Sequence, residues 1–393
     1  MISINEAQAR IFALKAPVAV EIAPLLEAPG RWVAEDVVAL RTQPARDLSA
    51  MDGYVVRFAG GGGPWRVIGE SAAGKRFTGS VGAGDAVRIF TGAVIPDDAD
   101  SVIIQENVAR SGDTIALTCN GLTKQGQNVR YKGADFRSGA TLICKGAELH
   151  ARHIALAAMA GHGALAVRRR LKIAIVSTGD ELVAPGEVCA EDQIPSSNDV
   201  MLAAMLRDMS VDVTVVPAVS DNLDNLVEQF AALADHDIIV TTGGASVGDH
   251  DLIAPALQAA GGKIDFWKIT MRPGKPVIAG TIGEAVVLGL PGNPVSAYVT
   301  ALLLLLPLIR HLGGADQPLP PRLTGVLGVD LPANEARTDH LRASLVDGVI
   351  KPVGANDSAM LAALSTCNTL IIRDIDSGSL SAGAEVPYYA LPG

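Results

Sequence analysis

Basic charge is what this chain most lacks. Its 32 lysines and arginines are outnumbered by 42 aspartates and glutamates, for a net charge of −10 and an isoelectric point near 5.2. Recognition of a phosphate backbone needs a basic surface, so nucleic acid is not an expected partner. Cysteine is sparse as well. Cys119, Cys144, Cys189 and Cys367 are far apart and form no C-x-x-C pair. That argues against a metal cluster or disulfide framework and for a reducing compartment, with all four read as inert packing residues. Aromatic residues make up 4% of a chain that is 49% hydrophobic, a balance that suits Ala/Val/Leu-rich α/β packing and excludes global disorder. No basic-then-apolar signal pattern opens the sequence. Ser3 to Glu6 reads instead as a helix capping box with Ile2 as its staple, and a cytoplasmic location is expected. The apolar run Val295 to Ile309 contains Pro307 and falls short of the ~20 residues that span a bilayer, so it reads as a buried core helix rather than a membrane segment. Also absent are a G-x-G-x-x-G dinucleotide loop and any Ser–His–Asp or Cys–His arrangement.

What is present is a chain of 393 residues, too long for one compact core at ~150 residues per domain, with textures that change along its length. A helix from Ser3 to Leu14 and an extended tail come first, and short alternating runs broken by Gly, Pro, Asp and Asn follow. These textures divide the chain into an N-terminal helical and extended domain (1–43 and 134–170), an inserted β domain (44–133), an α/β domain (171–315) and a small C-terminal β-barrel domain (316–393). The basic run Arg168-Arg169-Arg170 reads as a solvated linker. In the α/β part, strands alternate with helices, which implies a parallel sheet whose ligands bind beyond the carboxyl ends of the strands.

The most informative stretch runs from Asp237 to Asp251. A β-branched strand, Asp237 to Thr242, leads into a loop with Gly243, Gly244 and Gly248, and then into an apolar-periodic helix. Glycines there allow successive N–H groups to converge on an anion at the helix start, which suits a phosphate. The loop ends on Asp249-His250-Asp251, and carboxylates beside a phosphate imply a hard cation between them, so Mg2+ is expected. Other strand ends add Asp180, Glu181 and Asp221 to the same rim. Met271 to Pro276 supplies Arg272 and Lys275 as a cationic pair for a tetrahedral oxyanion.

Seven short patterns then agree in order and spacing with one family. They are Ser49-Ala-Met-Asp-Gly-Tyr54, Thr91-Gly-Ala, Gly133-Ala-Asp135, Ser177-Thr-Gly-Asp-Glu181, Thr242 to Asp251, Arg272-Pro-Gly-Lys-Pro276 and Leu290-Pro-Gly-Asn-Pro294. Over nearly the whole chain this resembles the molybdopterin molybdenumtransferase (MoeA) family, related to the gephyrin E domain. The resemblance implies a multidomain α/β protein with a molybdopterin-binding central domain, acting as a homodimer. It implies a reaction in which adenylylated molybdopterin and molybdate yield molybdenum cofactor with Mg2+-dependent release of AMP. It also brings the molybdopterin adenylyltransferase and apo-molybdoenzyme chaperones into the set of candidate protein partners.

Carried over by motif, Asp52, Asp135, Glu181, Asp221, Lys275, Arg342 and Ser358 would be catalytic. Thr178, Gly179, Gly243, Gly244, Ser246, Gly248, Arg272, Pro291, Gly292, Asn293 and Pro294 would bind substrate. Asp251, Glu181 and Asp221 would hold the metal. Three positions depart from the family pattern: Arg272 stands where lysine is frequent, Ala134 where glutamate is usual, and His340 where phenylalanine is usual. A stand-alone adenylyltransferase and a non-catalytic gephyrin-like scaffold are the alternatives; the extra domains argue against the first, and the retained carboxylates against the second.

Overall fold

The structure, a computed structural model, describes residues 1–118, 122–244, 252–354 and 359–392. Its centre is a six-stranded sheet in the order Val211–Val219, Leu171–Thr178, Ile238–Thr242, Ala285–Leu290, Ile278–Ile282, Lys263–Trp267. The first four strands are parallel, as expected. The last two make the sheet mixed: Ile278–Ile282 runs antiparallel to both of its neighbours. Its link to Ala285–Leu290 is the two residues Gly283-Glu284, with Gly283 at φ +52°. So short a connection cannot make the crossover that a parallel pair requires, so the chain reverses instead.

Alternation along the strands explains why they read as continuous apolar runs. Ile173 and Ile175 face a core shared with Leu202, Leu206 and the long helical segment Pro294–Leu312. Ala174 and Val176 face a second core with Leu226, Phe230, Ile253 and Leu257. Both faces are covered, so a polar side chain in the strand is costly unless it finds a partner. The segment Pro294–Leu312 is long and apolar enough to cross a membrane, but 83% of it is buried inside the fold. Within it the winding widens to a π turn over Ala301–Leu305. Pro307 has no N–H to give the Leu303 carbonyl four residues earlier. The side chain of Gln8 fills that place, its Nε2 donating to Leu303 O at 2.8 Å from a buried position.

Gln8 belongs to the N-terminal helix Ile4–Leu14, capped by Ser3, whose hydroxyl accepts from the N–H of Glu6. The sequence groups this helix with the N-terminal domain, yet Ile4, Ala7 and Ile11 pack into the core of the central sheet. Ile2 bridges to Ile269 and packs against the same core as Ile4, Ala7 and Ile11. Lys15, just past the helix, reaches Asp237, and Arg169 reaches the same carboxylate with both terminal nitrogens, at 2.7 and 2.8 Å. The arginine run is therefore not simply a solvated linker: Arg169 pins the junction to the sheet, whereas Arg170 makes an exposed pair with Asp212.

The rest of the N-terminal region has its own core, in which Ala23, Val33 and Val37 meet Ile143, Leu149, Ala157 and Leu165. Between those two stretches the chain makes a separate six-stranded β sheet containing Gly53–Val56 and Asp85–Ile89. At the other end, Thr338–Val346, Val349–Pro352, Leu323–Leu327, Glu385–Ala390 and Thr369–Arg373 pair in a ring that closes on Thr338–Val346. This closed barrel joins the central domain through a short parallel pairing of Met271–Arg272 with Thr338 and Asp339. The described cysteines are free thiols, and they do not pack as expected: Cys144 and Cys189 are exposed, and Cys367 is half-buried.

Candidate functional site

Connections from the strand Leu171–Thr178 and from Ile238–Thr242 lead to opposite sides of the sheet, and a crevice opens between their carboxyl ends. A cleft of about 650 Å³ lies there. Of the residues proposed from sequence, Thr178, Gly179, Glu181, Asp221, Gly243, Gly244, Pro291, Gly292, Asn293 and Pro294 all line it. Four loops that are distant in the chain thus meet at one site.

Glycine is required here by close approach. Gly243 and Gly244 have φ of +94° and +57°, and a side chain on Gly243 would collide with the Thr178 carbonyl. Gly292 sits against the same turn: a Cβ on it would lie 3.5 Å from the Gly243 Cα. The Thr178 hydroxyl is buried yet has no hydrogen-bond partner among the described residues, and it lies beside this turn, 2.9 Å from where a Gly243 Cβ would be. Ser177 and Thr242 are already paired through their hydroxyls at 3.0 Å. An unfilled hydroxyl beside a glycine turn at the carboxyl end of a parallel sheet is suited to a phosphate oxygen.

Glu181 and Asp221 bring carboxylates to the same cleft, both exposed. Asp180 faces elsewhere: its Oδ1 accepts from the N–H of Asp221 at 3.0 Å and so shapes the loop that carries the second carboxylate. Among the described residues no group of three metal-binding side chains converges. Ser246, Gly248, Asp251 and Ser358 lie outside the described residues.

The remaining candidates are placed apart from the cleft. Asp52 is in the inserted β domain, where its Oδ1 accepts from the N–H of Thr91 at 2.7 Å and from the Thr91 hydroxyl at 2.9 Å. Those two bonds hold its carboxyl below the usual carboxylate range. Asp135 is exposed at the hinge between the N-terminal and inserted domains, its N–H donating to Gln43 O. Lys275 is exposed and in no ion pair among the described residues, next to Pro276, which lines the cleft.

Arg272 does not stand beside Lys275 as a second free cation. Its Nε donates to Asp339 Oδ1 at 2.8 Å and its Nη2 to Asp339 Oδ2, so the guanidinium is clamped by a buried carboxylate of the barrel. A two-pronged clamp needs the planar fork of arginine, which gives the departure from lysine a structural reason. Arg342, in the barrel strand Thr338–Val346, donates to Met360 O at 2.7 Å, next to Ala359 in the cleft wall. His340 is buried and stacked on Tyr389 at 6.1 Å. Burial, with the nearby Arg322 charge adding to it, pushes its pKa down to about 4, so it is a neutral ring at pH 7 and fills the place of the usual phenylalanine.

Sequence reasoning missed Asn198, Ser196, Ser197 and Pro276 in the lining. Asn198 is the first residue of the helix Asn198–Leu206.

Known proteins resemble this chain along its whole length. Family models match residues 2–161 (MoeA N-terminal region, domain I and II), 174–311 (probable molybdopterin binding domain) and 324–391 (MoeA C-terminal region, domain IV). A molybdopterin molybdenumtransferase of Haemophilus influenzae is 34% identical over 98% of both chains. One from Nostoc is 34% identical over 95% of this chain and 89% of its own. The crystal structure of a molybdopterin biosynthesis moeA protein from Pyrococcus horikoshii superposes with a TM-score of 0.84 at 25% identity, covering both chains completely. The chain therefore belongs to the MoeA family of molybdopterin molybdenumtransferases, enzymes of molybdenum cofactor biosynthesis.

Proposed function

We propose that this chain inserts molybdenum from molybdate into adenylylated molybdopterin, with release of AMP and dependence on Mg2+. The observation that carries this reading is the unfilled Thr178 hydroxyl beside the Gly243-Gly244 turn, with Glu181 and Asp221 on the same rim. Two carboxylates fit Mg2+, which takes few protein oxygens and completes its shell with water and substrate phosphates. Glu181 and Asp221 would hold it, together with Asp251 by family resemblance, and the ion would neutralise phosphate charge and polarise the phosphoanhydride. The turn and Thr178 orient the adenylate phosphate. Lys275, free of ion pairs among the described residues, is the cation assigned to molybdate, whereas Arg272 keeps the barrel docked.

AMP release from adenylylated molybdopterin, measured with and without Mg2+ and molybdate, tests this. Glu181→Gln should reduce the Mg2+-dependent rate by roughly 100-fold, the scale for removing one preorganised charge-stabilising group; an unchanged rate would remove Glu181 from the site. Lys275→Ala should weaken the molybdate response by about 10-fold and leave adenylate affinity nearly unaltered, because a charge-assisted contact to the oxyanion is what it loses. Loss of adenylate binding with an intact molybdate titration would reverse the assignment.

As in its family, the chain is proposed to act as a homodimer. Asp52 is fixed in the inserted domain and is not part of the cleft of its own chain, so the reading gives it to the cleft of the second subunit.

A further inference from the structure

One cleft residue makes a contact that neither the motifs nor the phosphate reading uses. Asn198 opens the helix Asn198–Leu206 and lines the cleft. Its Nδ2 donates to the carbonyl oxygen of Gly292 at 2.7 Å. That bond fixes which way the amide faces, since an oxygen turned toward a carbonyl would repel it. The Oδ1 is left buried with no hydrogen-bond partner among the described residues. Buried acceptors without partners are uncommon, because each is destabilising unless something fills it.

Its position is also specific. Gly292 abuts Gly243, and Gly243 abuts Thr178, whose hydroxyl is a second unpartnered polar atom of the cleft wall among the described residues. Thr178, Gly243, Gly292 and Asn198 thus form one row with an orphaned polar atom at each end. Pro195, Pro291 and Pro294, each within three residues of Asn198 or Gly292 in the chain, are also part of the lining. Flat, apolar proline faces with a lone acceptor among them suit the edge of a planar heterocycle that presents an N–H, just as the glycine end suits phosphate.

We propose that Asn198 is a specificity-determining substrate contact whose Oδ1 accepts a hydrogen bond from an exocyclic amine of the substrate's heterocycle. This rests on the substrate reading above, in which both the adenine and the pterin carry such an amine. The shared chemistry is an aromatic amine with its ring packed on proline, and the two sources are separated by experiment.

The test is a calorimetric titration of the whole protein with two ligand pairs: AMP against purine riboside 5′-monophosphate, and pterin against its 2-desamino analogue. In the wild type, the amine-bearing member of one pair should bind about 10-fold or more tightly than its partner, the scale of one hydrogen bond to an otherwise unpaired buried group. That pair identifies the heterocycle. In Asn198→Ala the preference should fall to near one, and Asn198→Asp, whose second oxygen would be repelled by the Gly292 carbonyl and so displace the acceptor, should lose it as well. Wild-type affinities that do not distinguish the pairs would overturn the proposal, as would a preference that survives in Asn198→Ala. Equal weakening of both members, with the preference intact, would mean that Asn198 only positions Gly292, and that too overturns it. Should Asn198→Ala not fold, the wild-type comparison and Asn198→Asp decide the matter. If no probe binds the wild type and AMP release also fails, the substrate reading itself is wrong; AMP release without any amine preference defeats this inference alone.

Discussion

Asp237→Ala is expected to destabilise the protein by about 3 to 5 kcal/mol, the range for removing one partner of a buried ion pair. The side chain of Asp237 is 3% exposed and accepts from Lys15 at 2.8 Å, from Arg169 at 2.7 Å and from the N–H of Lys172 at 2.9 Å. Alanine would leave two cations facing each other beside an unfilled backbone donor. It would also release the N-terminal helix and the domain junction from the base of the central sheet together, because Lys15 follows the former and Arg169 belongs to the latter. The same group sets an acid limit. Burial alone would raise the Asp237 pKa, but hydrogen bonds from Arg169, Lys15 and Lys172 hold it down to about 2 from an ordinary 3.8. A carboxylate with a depressed folded pKa stabilises the fold above its unfolded pKa. That contribution, about 2 kcal/mol, disappears as the pH falls from near 4 through 2. Urea midpoints measured across that window should drop for the wild type and lack this component in Asp237→Ala. A variant within about 1 kcal/mol of wild type at pH 7 would show that the cluster is a surface ornament of the fold.

Mixing two inactive variants should restore activity. Asp52→Asn and Glu181→Gln chains, unfolded together in equal amounts and reassembled, would give mixed dimers in about half of the assemblies. If each site takes Asp52 from one subunit and Glu181 from the other, a mixed dimer has one site with both lesions and one with neither. Recovery to about a quarter of wild-type activity follows from that assortment. Each parent alone should remain inactive. A site completed within one chain would keep a lesion everywhere, and the mixture would stay at the parental level. The placement of Asp52 favours the first result: it is held by Thr91 in the inserted domain while ten of the other proposed residues line the cleft of the central domain.

Most of the cleft was legible because its determinants are local. The β-branched strand ending at Thr242, with a glycine turn and an apolar-periodic helix after it, is readable locally, and four parallel strand ends converge by topology alone. The closed C-terminal barrel was likewise readable from short strands and turn residues. What could not be read depends on contacts between residues remote in sequence. Arg272 looks like a free partner for Lys275 three residues away, yet its fork is satisfied by Asp339, 67 positions on. Arg169 looks solvated until Asp237 is brought beneath it by the sheet, 68 residues later. The amphipathic N-terminal helix shows which face is apolar but not which domain will cover it; Gln8 finding the carbonyl released by Pro307 is a pairing across 295 residues. The sequence reads the α/β part as a parallel sheet, whereas Gly283-Glu284 joins Ile278–Ile282 to Ala285–Leu290 by a reversal too short for a crossover.

The central claim is that molybdenum insertion and AMP release are one coupled event at this cleft. Its most direct test is a single-turnover reaction of the protein with adenylylated molybdopterin, Mg2+ and molybdate, in which molybdenum bound to the pterin product and AMP are counted in the same sample. Equal amounts of the two, appearing together and both suppressed in Glu181→Gln, are the predicted result. Molybdenum insertion without AMP, or AMP released at full rate with no molybdenum retained on the pterin, would contradict it.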